Sequence, residues 1–157
     1  MNMQKFTQKS LEAIQESQNI AIENQNAQVE QEHLLLALLQ QDNSLIKELL
    51  KKIGTSENFG NELENIISKM PKVVGGARPS NGIYVSQDLD ITLTNAEIIA
   101  KKMKDEYVSV EHIMLSMFDN GNRKIKDLFR TFNVNKLYLT AVLFPLPLSP
   151  AYNIEGF

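Results

Sequence analysis

His33 and His112 are the only two imidazoles in the 157-residue chain, and each follows directly on a glutamate, Glu32 or Glu111. A carboxylate beside an imidazole can hold a metal, relay a proton or activate a nucleophile. A zinc site made of these four residues would draw its ligands from distant parts of the chain, whereas zinc motifs usually place two ligands close in sequence. No metal site is expected. A Ser or Thr nucleophile would need one of the two histidines as its base. The remaining acids are scattered among lysines, as on solvated helix faces. No catalytic residue is expected either, and the chain reads as non-enzymatic. What fits both pairs is the first turn of a helix, because the apolar runs Leu34–Leu39 and Ile113–Leu115 follow immediately. There the carboxylate meets the positive end of the helix dipole and the imidazole packs or hydrogen-bonds locally.

The elements that must position these pairs are helical. All five prolines, Pro71, Pro79, Pro145, Pro147 and Pro150, lie outside two proline-free blocks, 1–70 and 80–144. Between the blocks runs a Gly-, Pro- and Asn-rich linker, and after them a proline-rich apolar tail, 145–157. Leu89, Leu93, Ala96, Ala100, Met103 and Tyr107 recur at steps of three and four and predict the stripe of one long helix. Ser86 and Thr7 stand where N-caps belong. Leu34–Leu39 is apolar on every side, which predicts a short helix buried in the packing.

A shift of 79 residues, from His33 to His112, superposes the two blocks without a gap. It gives eleven identities between residues 7 and 54 and their counterparts: Gln8, Ile20, Ala21, Val29, Glu32, His33, Leu36, Asn43, Ile46, Lys47 and Leu49. Each copy predicts four helices, about 7–26, 31–40, 44–53 and 57–69, then 86–104, 110–119, 123–132 and 135–144. The expected fold is therefore all-α: an eight-helix bundle of two pseudo-two-fold-related four-helix repeats. Repeat 1 covers about 1–70, the linker 71–85 and repeat 2 about 86–144. A four-helix unit of about 65 residues is marginal alone, which favours one shared core.

Composition narrows the function. Sixteen basic against nineteen acidic groups give a net charge of −3, and cysteine is absent. Nucleic-acid binding draws mainly on clustered Lys and Arg and is not expected. Disulfides, thiolate metal sites and cysteine nucleophiles are excluded. No run approaches the ~20 apolar residues of a membrane span, and the polar start has no apolar signal segment. A cytoplasmic protein without membrane partners is expected. No Gly-x-x-x-x-Gly-Lys-[Ser/Thr] phosphate loop occurs, so nucleotide chemistry is not expected in this chain.

Two copies of a unit ending in Glu-His, carried by 5–10, 29–39 and 105–113, resemble the Clp N-terminal domain over about 1–144. Met70-Pro71-Lys72-Val73 and Val85-Ser86-Gln87-Asp88-Leu89 are most similar to the ClpB disaggregase branch of that family. The resemblance implies a non-catalytic chaperone module of the stress response that weakly binds exposed apolar segments of unfolded or aggregated polypeptides. In a longer protein it would serve an AAA+ ring. No cofactor is implied for this chain, since ATP belongs to the ring, and a monomer is expected. The tail departs from the family, whose members usually continue into a polar linker.

The functional surface carried over from ClpB proteins falls on Thr7, Asp105 and Glu111. Each has a structural reading as well: N-cap, turn former and first-turn acid. Groove walls would come from Leu89, Leu93 and Ile99, for which the simpler reading is core. In ClpC-type relatives the acids of the repeat motif bind phosphoarginine, and their equivalents are Glu32 and Glu111, although the accompanying Gly-Thr context is missing here. An adaptor-docking module of ClpC or ClpA type, or a stand-alone regulator or scaffold, are the further alternatives.

Overall fold

The computed structural model describes residues 2–73 and 83–144, so the tail and the middle of the linker lie outside the described residues. Eight α-helices follow a 3-10 turn at Met3–Lys5: α1 Gln8–Glu23, α2 Gln31–Gln40, α3 Leu45–Lys52, α4 Ser56–Ser68, α5 Gln87–Lys102, α6 Val110–Asn120, α7 Arg123–Thr131 and α8 Lys136–Leu143. The all-α reading and its eight helices hold.

The helix starts follow from local chemistry. Thr7 Oγ1 accepts the Ser10 amide N–H and Ser86 Oγ accepts that of Leu89, so both expected N-caps form. Ser44, Asn122 and Asn135 cap α3, α7 and α8 in the same way.

One expectation fails. α5 stops at Lys102, and Lys104 takes the left-handed conformation (φ 60°), so the chain turns away before the predicted stripe is complete. Met103 and Tyr107 are consequently exposed, while Leu89, Leu93, Ala96 and Ala100 are buried. The first repeat turns at the matching residue, Gln25 (φ 58°), and a second left-handed pair follows at Gly54 (74°) and Asn133 (60°).

Packing obeys the pseudo-two-fold. α1 lies on α2 and α5 on α6, while across the repeats α3 meets α8 and α4 meets α7. The central helices α2 and α6 also touch each other. Every residue of Gln31–Leu39 in α2 is buried, polar ones included. The repeats are further stitched by two equivalent parallel bridges, Phe6 with Val108 and Val29 with Val85. Thr7 N donates to Val108 O (3.0 Å) and Val108 N to Lys5 O (2.7 Å), and the partner bridge repeats the pattern with Val29 N to Tyr84 O (2.8 Å) and Ser86 N to Val29 O (2.9 Å). Each repeat's entry strand thus runs into the loop before the other repeat's central helix, so neither repeat completes its backbone hydrogen bonding alone.

Candidate functional site

The histidine of each repeat closes the start of its central helix. His33 Nδ1 accepts the Glu30 amide N–H at 2.8 Å, and His112 Nδ1 accepts that of Ser109 at 2.9 Å. In both copies the imidazole thus fills the N3 place usually held by Glu or Gln in a capping box. With Nδ1 accepting, the ring hydrogen sits on Nε2 and is donated to Asn26 Oδ1 or to Asp105 Oδ2, each at 2.8 Å. Residues 26 and 105 are equivalent under the 79-residue shift, so repeat 1 uses an amide where repeat 2 uses a carboxylate. Burial pushes the His33 pKa down from its usual 6.5 to about 4, so the ring is neutral at physiological pH.

Ser109 Oγ also lies 2.9 Å from His112 Nδ1, which sets Ser, His and Asp in the order of a hydrolase triad. The Nδ1 lone pair is already engaged by the Ser109 amide, through the same bond that His33 makes where the cap residue is Glu30. The arrangement is therefore that of a helix start.

The residues carried over by resemblance separate into two groups. Thr7, Asp105 and Glu111 all border the Val108 crossing. Thr7 binds Val108 O through its amide and, through the chain Thr7 Oγ1 to Ser10 Oγ to Val108 O (2.9 and 3.0 Å), through its hydroxyl as well. Asp105, with its side chain 47% exposed, precedes the crossing and holds His112. Glu111, half-buried, follows it in the first turn of α6 and lines a pocket of about 30 Å3 with Lys9, Asn43, Ser44, Val110 and Met114.

Leu89 and Leu93 do not join them. At 1% and 0% exposure they are interior packing of α5 and have no surface with which to wall a groove, and Ile99 is half-buried against the same core. Exposed apolar side chains flank Asp105 in sequence instead, Met103 (41% exposed) and Tyr107 (52%). Helical periodicity hid them, because the left-handed turn at Lys104 breaks the period. The turn's local signal is the largely polar stretch Lys101–Glu106, with Asp105 as a turn former.

Glu32 differs from its equivalent Glu111. It is 3% exposed, and burial raises its carboxyl pKa above the ordinary 4.5, partly opposed by its backbone amide and by the Asn122 side chain, whose Nδ2 donates at 3.2 Å. It lines a larger pocket between the repeats, about 520 Å3, which also holds Glu30, Asp88, Arg123 and Lys124. Sequence reasoning passed over Gln31, which is wholly buried. Its Nε2 lies within hydrogen-bonding distance of Thr92 Oγ1 (2.9 Å), Asn120 O (2.9 Å) and Asp88 O (3.3 Å), and its Oε1 accepts from Asn122 N (2.7 Å). The matching residue in repeat 2 is Val110, so the 79-residue comparison carried no signal for it. Among the described residues no cluster of three or more acids, cysteines or histidines is placed to hold a metal.

The profile of a family described as the Clp repeat (R) N-terminal domain matches residues 5–132. The chain belongs to the Clp N-terminal domain family. The chaperone protein ClpB of Clostridium tetani (strain Massachusetts / E88) is 36% identical to this Clp N-domain over 137 residues, which is 87% of this chain and 16% of the relative. The chain therefore spans about one sixth of that relative's length. Its fold is also that of the Hsp104 N-terminal domain from Candida albicans, with a TM-score of 0.77, 23% identity, and coverage of 90% of each chain. A ClpV N-domain in complex with a VipB peptide aligns with a TM-score of 0.62 and 22% identity, covering 89% of this chain and 88% of the other. No helix among the described residues is long and apolar enough to cross a membrane.

Proposed function

We propose that this Clp N-domain is a substrate-recognition module of ClpB type that binds exposed apolar segments of unfolded or aggregated polypeptides, weakly and without strict sequence preference. The observation that carries the reading is the exposure of Met103 and Tyr107 on either side of Asp105, next to the crossing bordered by Thr7 and Glu111. Methionine and tyrosine offer adaptable apolar contact, and the polar groups at the rim are of the kind that hold a peptide backbone. Ordering an unfolded peptide costs ~1–2 kcal/mol per fixed backbone residue, so a shallow surface yields modest affinity. Weak binding suits release of the client to an AAA+ ring. The ClpV–VipB complex, a fold-level likeness, supports peptide binding as a use of the scaffold. In this reading the module works as a monomer and needs no cofactor of its own.

The test is a chemical-shift titration of the labelled chain with a reduced, alkylated and therefore permanently unfolded protein. Shifts at Thr7, Met103, Tyr107 and Glu111, weakened by the double substitution Met103→Ser and Tyr107→Ser, are expected. Absence of any response to unfolded chains defeats the reading.

One observation favours a second reading at a different place. The roomy pocket at Glu32 combines carboxylates with the cations Arg123 and Lys124, a pairing suited to the guanidinium and phosphate ends of phosphoarginine. The small pocket at Glu111 offers no equivalent space. Shifts confined to the surroundings of Glu32 on adding free phosphoarginine would favour this alternative.

A further inference from the structure

α7 also borders a pocket of about 490 Å3 lined by the half-buried Phe118, by Lys126, Arg130 and Asn133, and by Phe129 and Val134, whose side chains are only 2% and 4% exposed. The volume falls within the range of ligand-binding clefts. Phe118 packs on the buried ring of Phe129 with centroids 5.3 Å apart, which holds the exposed part of Phe118 in place. None of the residues lining this pocket is acidic, whereas the pockets around Glu32, Glu111, Glu12 and Glu62 each contain at least one carboxylate. Its lining therefore carries positive charge alone, from Lys126 and Arg130.

α7 supplies that charge, with Arg123, Lys124, Lys126 and Arg130 against the single acid Asp127. Lys126 makes no salt bridge among the described residues. Arg130 pairs with Asp127 at 3.1 Å in a largely exposed contact of the weak surface kind, which an incoming carboxylate can displace. The aromatic character belongs to repeat 2 alone. Positions 118, 129 and 134 are Phe, Phe and Val, where repeat 1 has Leu39, Leu50 and Thr55.

We infer that this pocket docks an acidic segment of a partner protein, with one aromatic side chain seated against Phe118 and flanking carboxylates on Lys126 and Arg130. Aromatic anchors ringed by charges of complementary sign are the arrangement in which a few residues carry most of the binding energy. The pocket's lining shares no residue with the surface of Met103 and Tyr107, so either assignment can fail without the other.

The experiment titrates the labelled full chain with the peptide acetyl-Glu-Asp-Phe-Asp-Glu-amide, following the Phe118, Phe129 and Val134 signals. Saturable shifts there are expected. They should weaken with added salt, disappear when the peptide's Phe is replaced by Ser, and be absent with a peptide carrying Lys in place of its acids. The double variant Lys126→Glu and Arg130→Glu should bind about tenfold more weakly or worse, while Lys51→Glu, at the repeat 1 position equivalent to Arg130 and outside the pocket, changes little. Undiminished binding by the double variant, equal binding of the lysine peptide, or shifts mapping away from the pocket would overturn the proposal. So would shifts that depend on protein concentration without peptide, since a second copy would then be the occupant.

Discussion

His112 donates from Nε2 to Asp105 Oδ2 at 2.8 Å while its Nδ1 accepts the amide that starts α6, so one buried ring ties an exposed carboxylate to a helix cap. Asp105 therefore holds structure even if it also touches a client.

Replacing Asp105 by Ala should leave a buried imidazole N–H without a partner and lower unfolding stability by about 1–3 kcal/mol. Asp105→Asn should cost far less, because the amide oxygen is what Asn26 already presents to His33. Urea unfolding of the two variants gives the comparison. Peptide binding measured on the stable Asn variant then reports whether the charge itself serves recognition.

The second prediction concerns pH. His33 titrates near 6.5 when unfolded and at about 4 when folded, so from pH 6.5 downward the unfolded chain takes up a proton that the folded chain refuses. The stability attached to His33 is complete above 6.5 and lost as pH falls toward 4, about 3 kcal/mol in all. Glu32 has the opposite sign. Its raised folded pKa means that the folded chain is protonated first, which partly offsets the loss at the acid end. His33→Gln keeps an acceptor for the Glu30 amide and removes the titration. Urea midpoints at pH 7, 6 and 5 should fall more steeply for the native chain than for this variant, and parallel curves would contradict the assignment.

Gln31 is the third. Replacing it by Leu removes partners from the Asn122 amide, the Thr92 hydroxyl and the Asn120 carbonyl at once, so a loss of at least about 2 kcal/mol is expected in thermal or urea unfolding. The equivalent change in repeat 2, Val110→Leu, involves no such network and should be mild.

Two glycines should respond with opposite signs to Ala. At Gly121 an added Cβ would stand 2.8 Å from the Met117 carbonyl oxygen and 2.7 Å from Ile125 Cγ2, so Gly121→Ala destabilises. At Gly60, inside α4, the nearest atom is Leu39 Cδ2 at 3.6 Å, an ordinary contact. Gly60→Ala should raise stability by about 0.5–1 kcal/mol through helix propensity. Differential scanning calorimetry of both variants checks the pair.

The sequence by itself determined the helices, their caps at Thr7 and Ser86, and the two-copy organisation. Apolar spacing, N-cap chemistry and the recurrence of Glu-His are local signals that survive without knowledge of the fold. It also placed each histidine in a first helical turn. Tertiary structure alone decided what those rings face, because Asn26 and Asp105 come into reach only when the turns at Gln25 and Lys104 adopt left-handed backbone. The same turn at Lys104 carried Met103 and Tyr107 from an expected core stripe to the surface. Leu89 and Leu93, which the sequence allowed as groove wall or as core, are interior, since periodicity shows that a helix has an apolar face but not which neighbour covers it. The links between repeats, Phe6 with Val108, Val29 with Val85 and Gln31 with Asn122, join residues far apart in the chain. Such pairings are set by how the two halves pack, and no local pattern records them.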